Sequence, residues 1–378
     1  MKYYLIAGEA SGDLHGSNLL KGLKMADPDP VFRFWGGDRM KAQGGELVRH
    51  YREHNIMGFW EVLANLGKIR RNFDQCKRDL LAFNPDVLIL IDYPGFNLRM
   101  AEFAQKHHIR VFYYISPKIW AWKESRIKKI KAFVDQMFII FPFEKAFYQK
   151  HHYPALYFGN PLIDAVDQQM AHRSSFEAFT AEVGLDGRPI VAIMPGSRKQ
   201  EIDRNLEVML GILPDYPDHQ FIIAGAPSIE RAYYERYLDV PNLNFVYNRT
   251  YDLLSHSKAA VITSGTATLE AALFNVPQVV CYRANPVSYH IARHFVQVSY
   301  ISLVNLNLER EAVRELLQKE MNPRHLKEEV SKLLYDEGHV QRMRRDYSEL
   351  RQILGGSGAS ESIARAMYQR LLAGQRHR

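Results

Sequence analysis

Two series of short apolar runs, each run followed by a longer helical pattern, predict an α/β chain of two Rossmann-like, doubly wound parallel-sheet domains. Three observations carry this. The runs are apolar at consecutive positions, not alternate ones, as strands covered by helices on both faces are. Strand-length and helix-length segments alternate along the chain. Its 378 residues exceed one ordinary core and suit two domains of similar size.

The first series is Tyr3–Ala7, Val31–Trp35, Val87–Ile91, Val111–Ile115 and Met137–Phe141. The second is Ile190–Met194, Phe221–Ala224, Ala260–Thr263 and Gln278–Tyr282. Residues 1–166 are therefore expected as the first domain and 186–351 as the second, joined by the polar stretch 167–185. The tail, 352–378, repeats apolar residues at helical spacing (Leu354, Ile363, Met367, Leu371) after a Gly355-Gly356-Ser357-Gly358 break. It is expected to pack back on the first domain.

Hydrophobic residues make up 47% of the chain and charged ones 24%, so it is globular rather than disordered or fibrous. Two cysteines, Cys76 and Cys281, give no disulfide framework and no metal-ligand cluster, which fits a reducing cytoplasm. The chain turns acidic at Glu9 before a signal-peptide core forms. No apolar run nears the roughly 18 residues of a membrane span. The net charge of +7 suits nucleic acid, phosphorylated substrates or an anionic membrane surface.

Parallel sheets bind ligands beyond the carboxyl ends of their strands, so the strand-to-helix loops matter most. The first, Gly8-Glu9-Ala10-Ser11-Gly12-Asp13, joins a turn-forming glycine pair to two acids and a serine. It is neither a dinucleotide fingerprint nor a P-loop; Ser11 or Asp13 would otherwise simply cap a helix. The second, Ile91-Asp92-Tyr93-Pro94-Gly95-Phe96-Asn97, ends an apolar strand on an aspartate that is costly to bury unpaired. The third, Ser116-Pro117-Lys118-Ile119-Trp120-Ala121-Trp122-Lys123-Glu124, offers two tryptophans either to a lipid or sugar groove or to the helix–sheet interface. The fourth, Pro195-Gly196-Ser197-Arg198, puts an arginine fork at a helix start, where an anion is favoured. The fifth, Ser264-Gly265-Thr266, offers amides and hydroxyls to a diphosphate. Glu270 follows one turn later, placed to accept a ribose diol.

Together these residues resemble the lipid-A-disaccharide synthase family of inverting glycosyltransferases. The resemblance runs through Gly8–Asp13, Met57–Leu63, Ile91–Asn97, Ser116–Lys123, Phe141–Phe147, Gly159–Leu162, Pro195–Glu201, Ser264–Glu270 and Tyr300–Leu306. It implies a GT-B type pair of domains with an interdomain cleft. It implies transfer of a sugar from UDP-2,3-diacylglucosamine to the 6-hydroxyl of 2,3-diacylglucosamine 1-phosphate, with no metal and no cofactor. It implies a peripheral place at the inner face of the inner membrane, and a homodimer is compatible with it. Where some members carry an aspartate after the proline of the second loop, this chain has Gly95. Where some carry Gly-His, it has Gly159-Asn160.

The expected base is Asp92, with Glu9 and Asp13 as alternatives beside the loop glycines Gly8 and Gly12 and Ser11. UDP is expected on Arg198, Ser264, Gly265, Thr266 and Glu270, and Asn305 is carried over as a polar contact. Phe59, Trp60, Leu63, Leu66 and Ile69 recur near helical spacing beside Lys68, Arg70 and Arg71, and Lys118, Lys123, Arg126, Lys128, Lys129 and Lys131 form a second basic cluster. That combination suits a helix lying in an anionic membrane surface. The same stripe would also suit a helix face buried on the sheet. Two other functions share parts of this pattern. A nucleotide-sugar epimerase uses the same architecture, and a basic RNA-binding protein matches the charge but not the signatures of RNA recognition.

Overall fold

The structure, a computed structural model, describes residues 1–54, 66–122, 124–284 and 299–375. The chain forms two compact units, Met1–Pro161 with Leu354–Arg378, and Leu162–Ile353. Residues 167–185, expected as a connection, lie in the second unit, where they carry parts of the helices Pro161–Ala171 and Phe176–Val183.

The first unit holds a seven-stranded parallel sheet. Its strands are β1 Lys2–Ala7, β2 Val31–Gly36, β3 Glu46–His50, β4 Val87–Ile91, β5 Arg110–Tyr114, β6 Gln136–Ile139 and β7 Ala155–Tyr157. They lie in the order β3-β2-β1-β4-β5-β6-β7. The second unit holds β8 Ile190–Met194, β9 Gln220–Gly225, β10 Leu243–Tyr247, β11 Ser257–Thr263, β12 Gln278–Tyr282 and β13 Glu315–Leu317. Their order is β10-β9-β8-β11-β12-β13. Both sheets are doubly wound: strand order reverses between β1 and β4 in one and between β8 and β11 in the other. Those reversals are where open α/β sheets bind ligands.

Register places the loops accordingly. Ala7 pairs with Ile91 and Ile91 with Tyr114, so the chain leaves β1, β4 and β5 side by side. Met194 pairs with Ile262 and Thr263 with Cys281, so the loops after β8, β11 and β12 also emerge together.

Every residue of β4 and β8 is buried, as strands covered on both faces must be. In the first unit the helix Leu66–Phe83 packs Phe73, Cys76 and Leu80 into the core, with Ile69 against it. This is the buried-face alternative for the stripe. Ile69, expected at a membrane, spends its side chain on the core, while Phe59, Trp60 and Leu63 lie outside the described residues and Leu66 opens the helix. The last helix, Ala359–Gln375, lies on Ala10–Ala26, close enough that a Cβ at Gly22 would stand 2.8 Å from the Ala364 Cβ.

Candidate functional site

The switch point of the first unit holds a small recess lined by Gly8, Glu9, Ser11, Gly12, Ile91, Asp92 and Tyr93. Gly8 lacks a side chain because the Tyr93 ring occupies that space: a Cβ there would sit 2.3 Å from Tyr93 Cγ. Tyr93 in turn stacks on Phe96, with centroids 5.7 Å apart.

The backbone at Asp92 is left-handed, φ +45°, and so is that of Tyr93, φ +48°. Two consecutive non-glycine residues there are unusual and need outside support. Asn97, fully buried, supplies it: its Nδ2 donates to the carbonyls of Ile91 at 3.2 Å and Asp92 at 2.8 Å. The Tyr113 hydroxyl donates to the Asp92 carbonyl at 2.5 Å. Ile115, beside them at the end of β5, is also left-handed at φ +66°, costly for a β-branched residue. Strain of this kind concentrates where side chains are aimed for function. Burial pushes the Asp92 carboxyl up to about 6; Lys118 opposes the rise and Glu9 adds to it. A carboxylate with that value is ionised at neutral pH yet basic enough to take a proton.

Asp13 does something else. Only 3% exposed, it accepts from the amides of Gly37 at 2.8 Å, Arg39 at 3.0 Å and Met40 at 3.0 Å. It thus caps the helix Asp38–Ala42. Three backbone donors already hold its carboxylate, so of the three acids Asp92 and Glu9 remain in the recess. Burial holds His15, two residues after Asp13 in the helix Ala10–Ala26, neutral with its pKa down at about 4. Asn160 is likewise framework, buried and donating to Ile140 O at 3.0 Å. Trp120 is tied down as an interface residue: its Nε1 donates to Glu144 at 3.2 Å and its ring meets Phe143 edge-on at 4.8 Å.

In the second unit, the loop after β8 runs through Gly196, φ +117°, where a Cβ would come within 2.8 Å of a Glu201 oxygen. Glu201 accepts from Ser197 N at 3.2 Å and from Arg198 at 3.3 Å, and Arg198 heads the helix Lys199–Leu210 with its side chain 57% exposed. Beside it, the helix Thr266–Leu273 starts from Gly265. A Cβ at Gly265 would meet nothing within 4 Å among the described residues, so none of them obstructs this helix start. Its first-turn amides point outward, as at any helix N-terminus. Glu270, half-buried, accepts from the Tyr251 hydroxyl at 3.0 Å.

Two expectations are corrected here. The Ser264 hydroxyl donates to Ile301 O at 2.8 Å and its amide donates to Cys281 O at 3.2 Å. Both hydrogens are spent on the fold, so Ser264 shapes the turn and the amides beyond it face outward. Asn305 is fully buried, and its amide bridges Val313 O and Glu315 on one side and the amides of Ala312 and Val313 on the other. No capacity is left for a ligand. Glu315 also accepts from the amides of Ile301 and Ser302, so this network holds the carbonyl that anchors Ser264. Among the described residues no group of His, Cys, Asp and Glu side chains converges as a metal site requires.

Comparison with known proteins adds the following. A family model described as lipid-A-disaccharide synthetase matches residues 3–368. The chain is 39% identical to the lipid-A-disaccharide synthase of Geobacter metallireducens over 95% of this chain and 94% of that one. It is 36% identical to the synthase of Coxiella burnetii (strain CbuK_Q154), covering 96% and 97%, and 36% identical to that of Myxococcus xanthus, covering 98% of each. Among solved structures it is similar to UDP-GlcNAc 2-epimerase from Neisseria meningitidis bound to UDP-GlcNAc, at TM-score 0.70 and 14% identity, covering 98% and 100%. It is also similar to a glycosyltransferase of kitacinnamycin, at TM-score 0.58 and 15% identity, covering 98% and 99%.

Proposed function

The chain belongs to the lipid-A-disaccharide synthase family, a glycosyltransferase family of lipid A biosynthesis, and from that premise we propose how its residues divide the reaction. The second unit takes the UDP-sugar donor. Arg198 and the helix start at Gly265 and Thr266 neutralise the diphosphate, Ser264 shapes that turn, and Glu270, oriented by Tyr251, binds the ribose diol. Asp92 takes the proton from the 6-hydroxyl of the acceptor, a diacylglucosamine 1-phosphate, as that oxygen attacks the anomeric carbon of the donor. The carbon–oxygen bond to UDP breaks and UDP leaves with the electron pair, its charge met by cationic and amide donors. The epimerases share the fold alone at this level of identity.

One observation supports this reading: the four loops that carry Glu9, Asp92, Arg198 and Gly265 to Glu270 are those that flank the switch points of the two sheets. Mass spectrometry of products formed from UDP-diacylglucosamine and the monosaccharide phosphate tests it. A disaccharide phosphate plus UDP, lost in Asp92→Asn, is expected. Donor consumed without a new disaccharide overturns it.

An acceptor with acyl chains gives the enzyme a reason to lie on a membrane. Among the described residues no helix is long and apolar enough to cross one. Support for a peripheral, anionic-surface contact is the exposed row Lys68, Arg70, Arg71 and the exposed set Lys128, Lys129, Lys131. A groove beside the first row is lined by Arg49, Lys68, Arg71 and Arg78 with Asp74. Phe59, Trp60 and Leu63 are the apolar part of the proposed contact at the inner face of the inner membrane.

A further inference from the structure

The donor loops of the second unit are short of positive charge. Each phosphate of a nucleoside diphosphate sugar is negative at neutral pH. Arg198 brings one positive charge, but the Glu201 carboxylate lies 3.3 Å from it, so the pair is close to neutral. Glu270 adds a further negative charge. Among the described residues of the loops that follow β8, β11 and β12, the cations are Arg198 and Arg283. Arg283 directly follows β12, is exposed, and has no ion-pair partner among the described residues.

The backbone of Arg283 is held tightly. Its amide donates to Asn205 Oδ1 at 3.1 Å, and the carbonyl before it, Tyr282 O, accepts from Gln318 N at 3.0 Å. Asn205 lies on the helix Lys199–Leu210, which Arg198 heads. It is fully buried, and its Nδ2 donates to the Thr263 hydroxyl at 3.0 Å. One side chain thus joins the helix of Arg198, the last residue of β11 and the residue after β12. Thr263 pairs with Cys281, and Ser264 N donates to Cys281 O at 3.2 Å. Continuing that register by two residues sets Arg283 level with Gly265, where the helix Thr266–Leu273 starts. Neighbouring strands lie about 4.8 Å apart, within the span of an arginine side chain.

We propose that Arg283 is a second cation for the diphosphate of the UDP-sugar donor, and that Asn205 positions it beside the helix start at Gly265. The proposal rests on the donor placement given above. The guanidinium fork suits non-bridging phosphate oxygens. With Arg198 offset by Glu201, Arg283 supplies the uncompensated positive charge. It also meets the negative charge that grows on UDP as the bond to the sugar breaks.

The test is calorimetry on the full-length enzyme with UDP, and with uridine by competition, for wild type, Arg283→Gln, Arg283→Lys, Asn205→Leu and the double variant Asn205→Leu with Arg283→Gln. Arg283→Gln is expected to weaken UDP about ten-fold and to leave uridine unchanged, because uridine has no phosphate. Arg283→Lys keeps the charge without the fork and should fall between. Asn205→Leu keeps the volume and removes both hydrogen bonds. It should lower the preference for UDP over uridine toward that of Arg283→Gln, and the double variant should lower it no further, since both act through one guanidinium. A purely structural loss would weaken UDP and uridine alike and leave that preference unmoved. Arg283 is exposed, so its variants keep the proposal falsifiable where Asn205→Leu does not fold. Unchanged UDP affinity in Arg283→Gln, or an equal loss of UDP and uridine, overturns the second cation. Additive losses in the double variant overturn the role of Asn205. Arg198→Ala and Glu270→Ala run alongside separate the two readings: unchanged UDP affinity in both overturns the donor placement and this proposal with it, whereas weaker binding there with Arg283→Gln unmoved overturns this proposal alone.

Discussion

Gly8→Ala should cripple turnover without touching donor affinity. The added Cβ would sit 2.3, 2.5 and 2.6 Å from three carbons of the Tyr93 ring. Carbon atoms in contact prefer about 3.5–4.0 Å, so the ring must retreat by about 1 Å or more. It cannot swing freely, because it stacks on Phe96, which stacks in turn on Phe73 at 4.2 Å and Trp35 at 5.5 Å within the core. The displacement therefore passes to the Tyr93 backbone and to its neighbour Asp92, both already left-handed. A misplacement of about 1 Å at a reacting group costs on the order of 100-fold in rate. Disaccharide formation by Gly8→Ala is expected to fall by about that factor, while calorimetry shows unchanged UDP affinity, since the donor residues belong to the second unit. Adding Tyr93→Ala removes the obstacle, so the double variant should be faster than Gly8→Ala alone. Near-normal turnover in Gly8→Ala, or no recovery in the double, would refute the link between this close approach and the placement of Asp92.

The remaining predictions are these. Arg198→Ala removes a charge-assisted contact worth about 1.5–3 kcal/mol, so UDP binding should weaken roughly ten- to a hundred-fold, and Glu270→Ala should weaken it too; unchanged affinity in both by calorimetry removes the donor placement. Asp92→Asn should cost on the order of 100- to 10,000-fold in turnover with the fold and UDP binding intact, and near-normal turnover would pass the base to Glu9. In the wild type, kcat/KM should decline as pH falls through about 6, the Asp92 value, because protonation disables a base; a profile flat down to pH 5 contradicts this. Neutralising Lys128, Lys129 and Lys131 together as glutamines should cut binding to anionic vesicles by about two orders of magnitude, at about 1 kcal/mol per residue. Sedimentation equal to wild type would remove that cluster from the membrane contact.

The strands the sequence displays are the central ones. Val87–Ile91 and Ile190–Met194 are apolar throughout, and Gln278–Tyr282 is so after its first residue, because helices and neighbouring strands enclose them. The four strands it hides, Glu46–His50, Ala155–Tyr157, Leu243–Tyr247 and Glu315–Leu317, are the four edges of the two sheets. An edge strand pairs on one side and stays half-exposed, so its side chains mix polar and apolar and no buried run appears.

The site divides in a similar way. Acids, glycines and an arginine directly after apolar strands are visible in the chain, because a parallel sheet must deliver its ligand loops there. Which acid is left for chemistry is not visible. Asp13 and Asp92 both follow a buried strand. Asp13 is captured by amides of Gly37, Arg39 and Met40 on a different segment, while Asp92 is held by its carbonyl, through Asn97 and Tyr113, with its carboxylate left in the recess. Ser264 and Asn305 read as ligand contacts until Ile301 and Glu315 claim them. Hydrophobic pattern is written locally, residue by residue, and so the sheets could be read. Hydrogen bonds between side chains and distant backbone are made only once the chain has folded, and they decided which polar residues serve the fold and which remain for the substrate.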